Sequence, residues 1–349
     1  MKNKNYRTIF LTLTIGVILA ASLAAGCGNF TGCSKKKKVE FTAIAGGDKA
    51  VYSYDGITWE ETALPGDEKW RNISYGNGRF VTIAGDSNKA AYSDDGIKWT
   101  AASLPVKGGW GKLFYGNGKF VAISSDKAVY STDGIKWETA QLPKLPDEED
   151  WTSWRGLCYG KDKFITISAC VLDDKMKVAY SYDGIKWETA SLPDEMNCFP
   201  DISYGNGKFV LVTMGLSSTG TNKAAYSEDG IKWTMVKMPN QAGWVSVCYG
   251  KDKFVAVSNQ EMILFDREAA YSYDGIKWLS VTMPDKINWH SVSYIKDKFI
   301  AMGEYPFDPH SDSKPTQSDF KAAYSEDGLN WEPAHLPHEN FWGICYIGE

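Results

Sequence analysis

The chain has 349 residues, 43% of them hydrophobic, enough to bury a large core, and a formal net charge of -5. Residues 1 to 38 hold seven Lys or Arg and no acid, which leaves residues 39 to 349 at -12. An acidic body of that kind excludes nucleic acid as the partner, because a nucleic-acid footprint needs a clustered basic face.

At the N-terminus, Lys2, Lys4 and Arg7 precede an apolar run from Ile9 to Leu23. The run is too short, and too closely followed by small residues, to read as a membrane span, and it is expected to be a signal peptide over residues 1–26. It ends Leu23-Ala24-Ala25-Gly26-Cys27, which resembles the bacterial lipobox. That resemblance implies a lipid on the Cys27 thiol and an extracytoplasmic protein anchored to a bacterial membrane. The plainer alternative is an ordinary signal peptide cut nearby, with Cys27 incidental. Residues 27–38 then form a tether whose Lys35 to Lys38 run is attracted to an anionic bilayer by roughly 1 kcal/mol per charge.

From residue 39 onward the chain repeats itself. The stretch Tyr52-Ser53-Tyr54-Asp55-Gly56-Ile57-Thr58-Trp59 recurs at Tyr92, Tyr130, Tyr180, Tyr226, Tyr271 and Tyr324, each copy reading Tyr-Ser-x-Asp-Gly-[Ile/Leu]-x-Trp. Such self-similarity decides the fold before any local motif does. Two blocks keep a constant length. One runs from an aromatic to a Phe over an interval of 10, as in Trp70 to Phe80; the other runs from the box Ser to a Pro over 12, as in Ser53 to Pro65. In the first block, β-branched and aromatic residues alternate around Gly76-Asn77-Gly78, which predicts a hairpin of strands A and B. In the second, Ala90-Ala91-Tyr92-Ser93 turns through Asp95-Gly96 into Ile97-Lys98-Trp99, predicted as strands C and D, and Leu104-Pro105 ends the ladder. Four short antiparallel strands per unit make the blade of a β-propeller.

Residues 39 to 65 supply strands B, C and D without an A, and residues 341 to 349 supply an A with nothing after it. The fragments are complementary. The expected fold is therefore all-β, a seven-bladed β-propeller over residues 39–349, closed by the C-terminal strand pairing with the N-terminal hairpin. A closed ring leaves no blade interface exposed and predicts a monomer.

The box itself, Ser-x-Asp-Gly-x-x-Trp, resembles the Asp-box or BNR repeat of sialidase-like propellers and of propellers similar to the photosystem II assembly factor family. It is one residue shorter than the usual box between Asp and Gly. Its carboxylates, Asp55, Asp95, Asp133, Asp183, Asp229, Asp274 and Asp327, are expected to be structural, since a reaction needs one or two carboxylates and not seven. Asp and Ser brace the turn, Gly supplies a positive φ, and Trp covers the hairpin.

Length differences between units fall only in the B-to-C and D-to-A connections, which an up-down blade puts on one face, opposite the boxes. Variable loops on a rigid scaffold are where binding sits. At the start of strand A stand Trp70, Trp110, Trp154, Phe199, Trp244, Trp289 and Phe341. They have two readings, packing between blades or an aromatic mouth for sugars and other flat ligands. The next position holds Arg71, Gly111, Arg155, Pro200, Val245, His290 and Trp342, and its variation makes Arg71, Arg155, His290 and Trp342 ligand candidates. Arg267 and Tyr305, both in variable segments, join them. The Asp308-Pro309-His310-Ser311-Asp312 alternation has the residue types to ligate a metal, but an isolated triplet in a polar loop is a weak signal and a solvated lid over the mouth is the preferred reading. Cys158, Cys248 and Cys345, each just before a repeat Tyr, are read as small buried side chains. No metal or cofactor is expected.

Three functions follow from these readings. The first is a surface-anchored, non-enzymatic lipoprotein that binds a glycan, peptide or protein on its variable face. The second, implied by the sialidase resemblance, is a glycoside hydrolase with Arg71, Arg155 and Arg267 gripping a carboxylate, although no Arg-Ile-Pro segment precedes the first box. The third is an envelope protein-assembly factor.

Overall fold

The computed structural model describes residues 38–45, 47–55, 58–145, 153–169, 176–193, 196, 200–215, 220–259, 268–285, 287–304, 320–334 and 341–346. Cys27, the apolar run, Arg267, Tyr305 and the Asp308–Asp312 alternation lie outside them. The described residues form twenty-eight strands, β1 to β28, in seven antiparallel sheets of four. The chain from residue 38 onward is a seven-bladed β-propeller.

Blade 1 joins the two ends of this unit. Its strand order is β28 (Phe341–Tyr346), β1 (Phe41–Ala45), β2 (Lys49–Ser53) and β3 (Trp59–Ala63). β1 pairs antiparallel with β28, Phe41 opposite Tyr346 and Ile44 opposite Gly343, as the complementary fragments require. The other blades follow in sequence from their innermost strands, β4 (Trp70–Gly76), β8 (Lys112–Gly116), β12 (Ser153–Gly160), β16 (Pro200–Gly205), β20 (Trp244–Gly250) and β24 (Asn288–Ile295).

The hairpins form for the reasons their residues suggest. Asn77 and Gly78 have φ of 49° and 77°, the pair of positive values that a two-residue turn matched to the strand twist demands. In the next strand, Phe80 to Ala84 are all buried, because the second strand of a blade is covered on both faces by its neighbours. One expectation needs correcting. Ile97-Lys98-Trp99 is not strand; strand D of blade 2 runs over Thr100–Ser103. The N–H groups of Ile97 and Lys98 are already donated to Asp95 Oδ1, at 2.9 and 2.7 Å, so they cannot also enter a ladder.

Candidate functional site

The boxes are built alike. In blade 3 the Ser131 hydroxyl donates to Asp133 Oδ1 at 3.0 Å, and the N–H groups of Ile135 and Lys136 donate to the same oxygen at 2.8 Å each. Gly134 donates its N–H to Ser131 Oγ at 2.8 Å and holds φ at 73°. Burial pushes each box carboxyl up, but the two backbone N–H groups and the Ser hydroxyl outweigh it and hold Asp95, Asp133, Asp183, Asp229, Asp274 and Asp327 below the usual carboxylate range. The Oδ1 atom of each is occupied by its own turn.

The turns between strands A and B hold the box of the following blade. Arg79 donates to Asp133 O at 2.6 Å, Lys163 to Asp229 O at 2.7 Å and Lys253 to Asp327 O at 2.7 Å. Where the turn reads Asn-Gly, Asn117 donates to Tyr182 O at 2.9 Å and Asn206 to Tyr273 O at 3.1 Å. One face of the propeller is therefore committed to latching blade to blade.

The opposite face carries the length variation, and there the ladder of strands A and B breaks at one residue. Register shifts fall between Trp70 and Asn72, Trp154 and Gly156, Trp244 and Ser246, and Trp289 and Ser291. The skipped residues are Arg71, Arg155, Val245 and His290, and in blade 1 the pairing passes from Phe341 to Gly343 and skips Trp342. In these five blades the variable position is thus a β-bulge, a device that re-aims a side chain out of a ladder, whereas Pro200 of blade 5 pairs with Thr213 in unbroken register. Thr82 steadies the bulge in blade 2 by donating to Asn72 O at 2.8 Å. Arg71 and Arg155 are exposed and His290 is half-buried, its imidazolium disfavoured by burial. The stem of Arg71 lies on Gly85, and Arg155 donates to Ser153 Oγ at 3.1 Å. Asp86, beside Arg71, is held below the usual range first by its bond from Lys69 and further by the Arg71 charge.

Five of the candidate tryptophans are buried, and the Trp342 side chain lies outside those described. Trp70, Trp110, Trp154, Trp244 and Trp289 are between 0% and 2% exposed. Trp110 packs with Val81, Ile83 and Ala90 of the preceding blade, and Trp289 with Val255, Val257 and Ala269 of the preceding blade. Of the two readings of this position, packing between blades is the one these five rings take. Three of the indoles also donate to backbone carbonyls, Trp70 to Gly66 O at 3.1 Å, Trp110 to Ser87 O at 2.9 Å and Trp244 to Asn240 O at 3.4 Å.

A polar chain on the inner strands has no counterpart in the sequence reading. Asp201 is 9% exposed. It accepts from Lys112 Nζ at 3.1 Å, from Ser246 Oγ at 3.1 Å and from the Val247 N–H at 3.0 Å, while Ser246 Oγ accepts the Val292 N–H at 3.2 Å. The network runs from blade 3 through blades 5 and 6 to blade 7. At the equivalent place in blade 4 stands Gly156, with no side chain to intervene. Cys158 and Cys248 lie beside it, their thiols pushed up by burial and, secondarily, by the Asp201 charge, so neither is a ready nucleophile. Cys158 is buried as expected and Cys248 only half so.

Tyrosine–glutamate pairs also occur, but far from the bulges. Tyr52, Tyr130 and Tyr180 donate to Glu60, Glu138 and Glu188 across strands C and D. The bond to the carboxylate, aided by burial, pushes the Tyr52 and Tyr180 phenols up to about 12. A phenol held protonated in a motif that recurs from blade to blade is a cross-strand brace, not a nucleophile.

Fold and site together define a class: a seven-bladed β-propeller with one latched face and one face of bulged, variable residues. No protein-family model matches the sequence, and no curated protein matches it. Solved structures are similar in fold. A catalytically inactive virginiamycin B lyase from Staphylococcus aureus with quinupristin is 13% identical with a TM-score of 0.54, over 84% of this chain and 97% of that one. Apo AztD from Citrobacter koseri is 11% identical with a TM-score of 0.52, over 88% of this chain and 85% of that one. At such identities the likeness is one of architecture.

Proposed function

We propose that the chain is an extracytoplasmic, lipid-anchored propeller without enzymatic activity, which binds a glycan, peptide or protein on its variable face. A protein client would make it an assembly factor, a special case of the same reading. The observation that supports it is the bulge in strand A. The repeat does not need Arg71, Arg155 or His290, yet each stands at the residue that leaves the ladder. Charged and aromatic-compatible side chains displaced from rigid strands suit recognition. Of the strands that carry them, β24 with His290 is tied to the preceding blade by the Val292 N–H bond to Ser246 Oγ.

The test is a glycan array together with a pull-down from envelope extract, run with the purified chain and with an Arg71→Ala/Arg155→Ala variant. A ligand bound by the former and bound at least about tenfold more weakly by the variant is the expected result, tenfold corresponding to 1.4 kcal/mol. Failure to bind either class sinks the reading, and hydrolysis of a fluorogenic sialoside replaces it with the glycosidase.

A further inference from the structure

The chain enters the propeller on the latched face. Lys38 Nζ stands 5.9 Å from the ring centroid of Tyr75, at the end of β4 beside the A-to-B turn. Val39 lies against the box of blade 2, where a Cβ on Gly96 would fall 2.9 Å from Val39 Cγ1, and Glu40 pairs with Lys296 in the A-to-B turn of blade 7. Lys38, Val39 and Glu40 therefore lie on the box side.

That face has a chemistry of its own. Lys98, Lys136, Lys186, Lys232 and Lys277 project from five boxes and are exposed. Tyr182 and Tyr273, each 55% exposed, stand on the same face with Lys163 and Lys253 at 4.9 and 5.4 Å from their ring centroids. Counted over the seven boxes and the A-to-B turns the net charge is +1, against -12 for residues 39 to 349, so the rest of the propeller carries -13. Lys38 adds a positive charge on that face, and Lys35 to Lys37 precede it in the sequence.

We infer that the box face docks on an anionic phospholipid bilayer, the one to which Cys27 is attached, so that the variable face points away from the membrane. The inference rests on the anchored reading proposed above. An extended tether over residues 28–37 spans at most about 35 Å, which keeps the face of entry close to the lipid. Within a Debye length of about 8 Å an anionic surface attracts the lysines and repels the acidic remainder. Exposed tyrosines suit the headgroup layer, having an apolar ring and a polar tip.

The experiment uses the full-length chain, purified from membranes in detergent and reconstituted into vesicles of phosphatidylcholine alone or mixed with phosphatidylglycerol. A membrane-impermeant amine reagent is applied and modification at each lysine is read by mass spectrometry. Lys136, Lys186, Lys232 and Lys277 are expected to react about three-fold or more slowly on the anionic vesicles, with protection lost at high salt. Lys89 and Lys107, exposed on the variable face, react equally on both. Equal reactivity of the box lysines on the two vesicles, or protection of Lys89 and Lys107 in their place, overturns the inference. The intact mass of the same sample separates the two proposals. An acylated Cys27 with unprotected box lysines removes only the orientation; an unacylated Cys27 removes the anchor, and the docking with it.

Discussion

The ring of Tyr115 sits on Gly76: a Cβ placed on that glycine would fall 2.0 Å from Tyr115 Cγ, nearer than side chains approach. The seat repeats around the propeller, with Tyr159 on Gly116, Tyr204 on Gly160, Tyr249 on Gly205 and Tyr294 on Gly250. Each glycine ends an innermost strand, and each ring comes from the following blade, so the pair sets how closely adjacent blades approach. Gly76→Ala is expected to cost about 2 to 3 kcal/mol by overpacking. Tyr115→Ala in the same chain removes the clash, and the double variant should recover at least about 1 kcal/mol relative to the sum of the singles. Urea denaturation of the four proteins checks this, and strict additivity would refute the seat.

A box carboxylate serves only its own turn. Asp133→Ala removes the acceptor for two backbone N–H groups and a hydroxyl, one of them exposed to water that can replace the loss. The expected cost is about 1 to 2 kcal/mol. Ligand affinity on the opposite face should stay unchanged once a ligand is in hand. A loss of binding at full stability would move the site to the boxes.

The same carboxylates predict an acid limb. Six box carboxyls are held below their ordinary 3.8. A depressed carboxyl contributes stability that is complete above the unfolded value and is lost as pH falls through the folded one. The denaturation midpoint should therefore stay level from neutral pH down to about 4 and fall steeply below it, more steeply than one carboxylate could cause. Replacing Asp133 and Asp183 by Asn should flatten the limb.

The architecture was legible because spacing is a one-dimensional signal. Constant intervals and two complementary end fragments suffice to count blades and close the ring, and β1 pairs with β28 as they imply. Local competition was harder to read. Ile97 and Lys98 alternate like strand residues, but the Asp95 carboxylate, two and three residues earlier, claims their N–H groups. The variable residue after Trp70 was visible as variable, whereas its bulge was not, since a bulge is a property of two strands in register. Lys112 and Asp201 were missed altogether. Their signal was present: each precedes an apolar residue, Leu113 or Ile202, at a strand position filled in other blades by small or polar residues such as Gly156, Ser246 and Ser291. What the sequence could not say is that two such positions, one blade apart from being neighbours, meet.

That meeting is testable on its own. Lys112→Met leaves the Asp201 carboxylate with Ser246 and the Val247 N–H but without its counter-charge. Lys112 is 43% exposed along its side chain, so the expected cost is discounted to about 1 to 2 kcal/mol. Asp201→Asn added to Lys112→Met should restore most of it, because the neutral amide can still accept from Val247. If the double variant is no more stable than Lys112→Met, the pair does not act as a unit.

Closure of the ring is the last point at which the fold can be challenged. Between blades 7 and 1 Ile295 stands where the other blades have Gly76 or Gly116, and among the described residues Lys296 pairs with Glu40 and lies 5.3 Å from the Phe41 ring centroid. In blade 1 no hairpin turn joins the innermost strand to the next, so within the sheet β28 is held by its ladder with β1. Deleting residues 341–349 should strip the inner edge of β1, leave its N–H and C=O groups without partners, and give a chain that aggregates or loses its cooperative transition. A circular permutant that places residues 339–349 ahead of residue 39 through a Gly-Asn-Gly turn makes blade 1 continuous, like the other six. It should fold with one transition at the stability of the parent chain. A deletion variant that unfolds cooperatively at the parent's midpoint would show instead that the closing strand is dispensable.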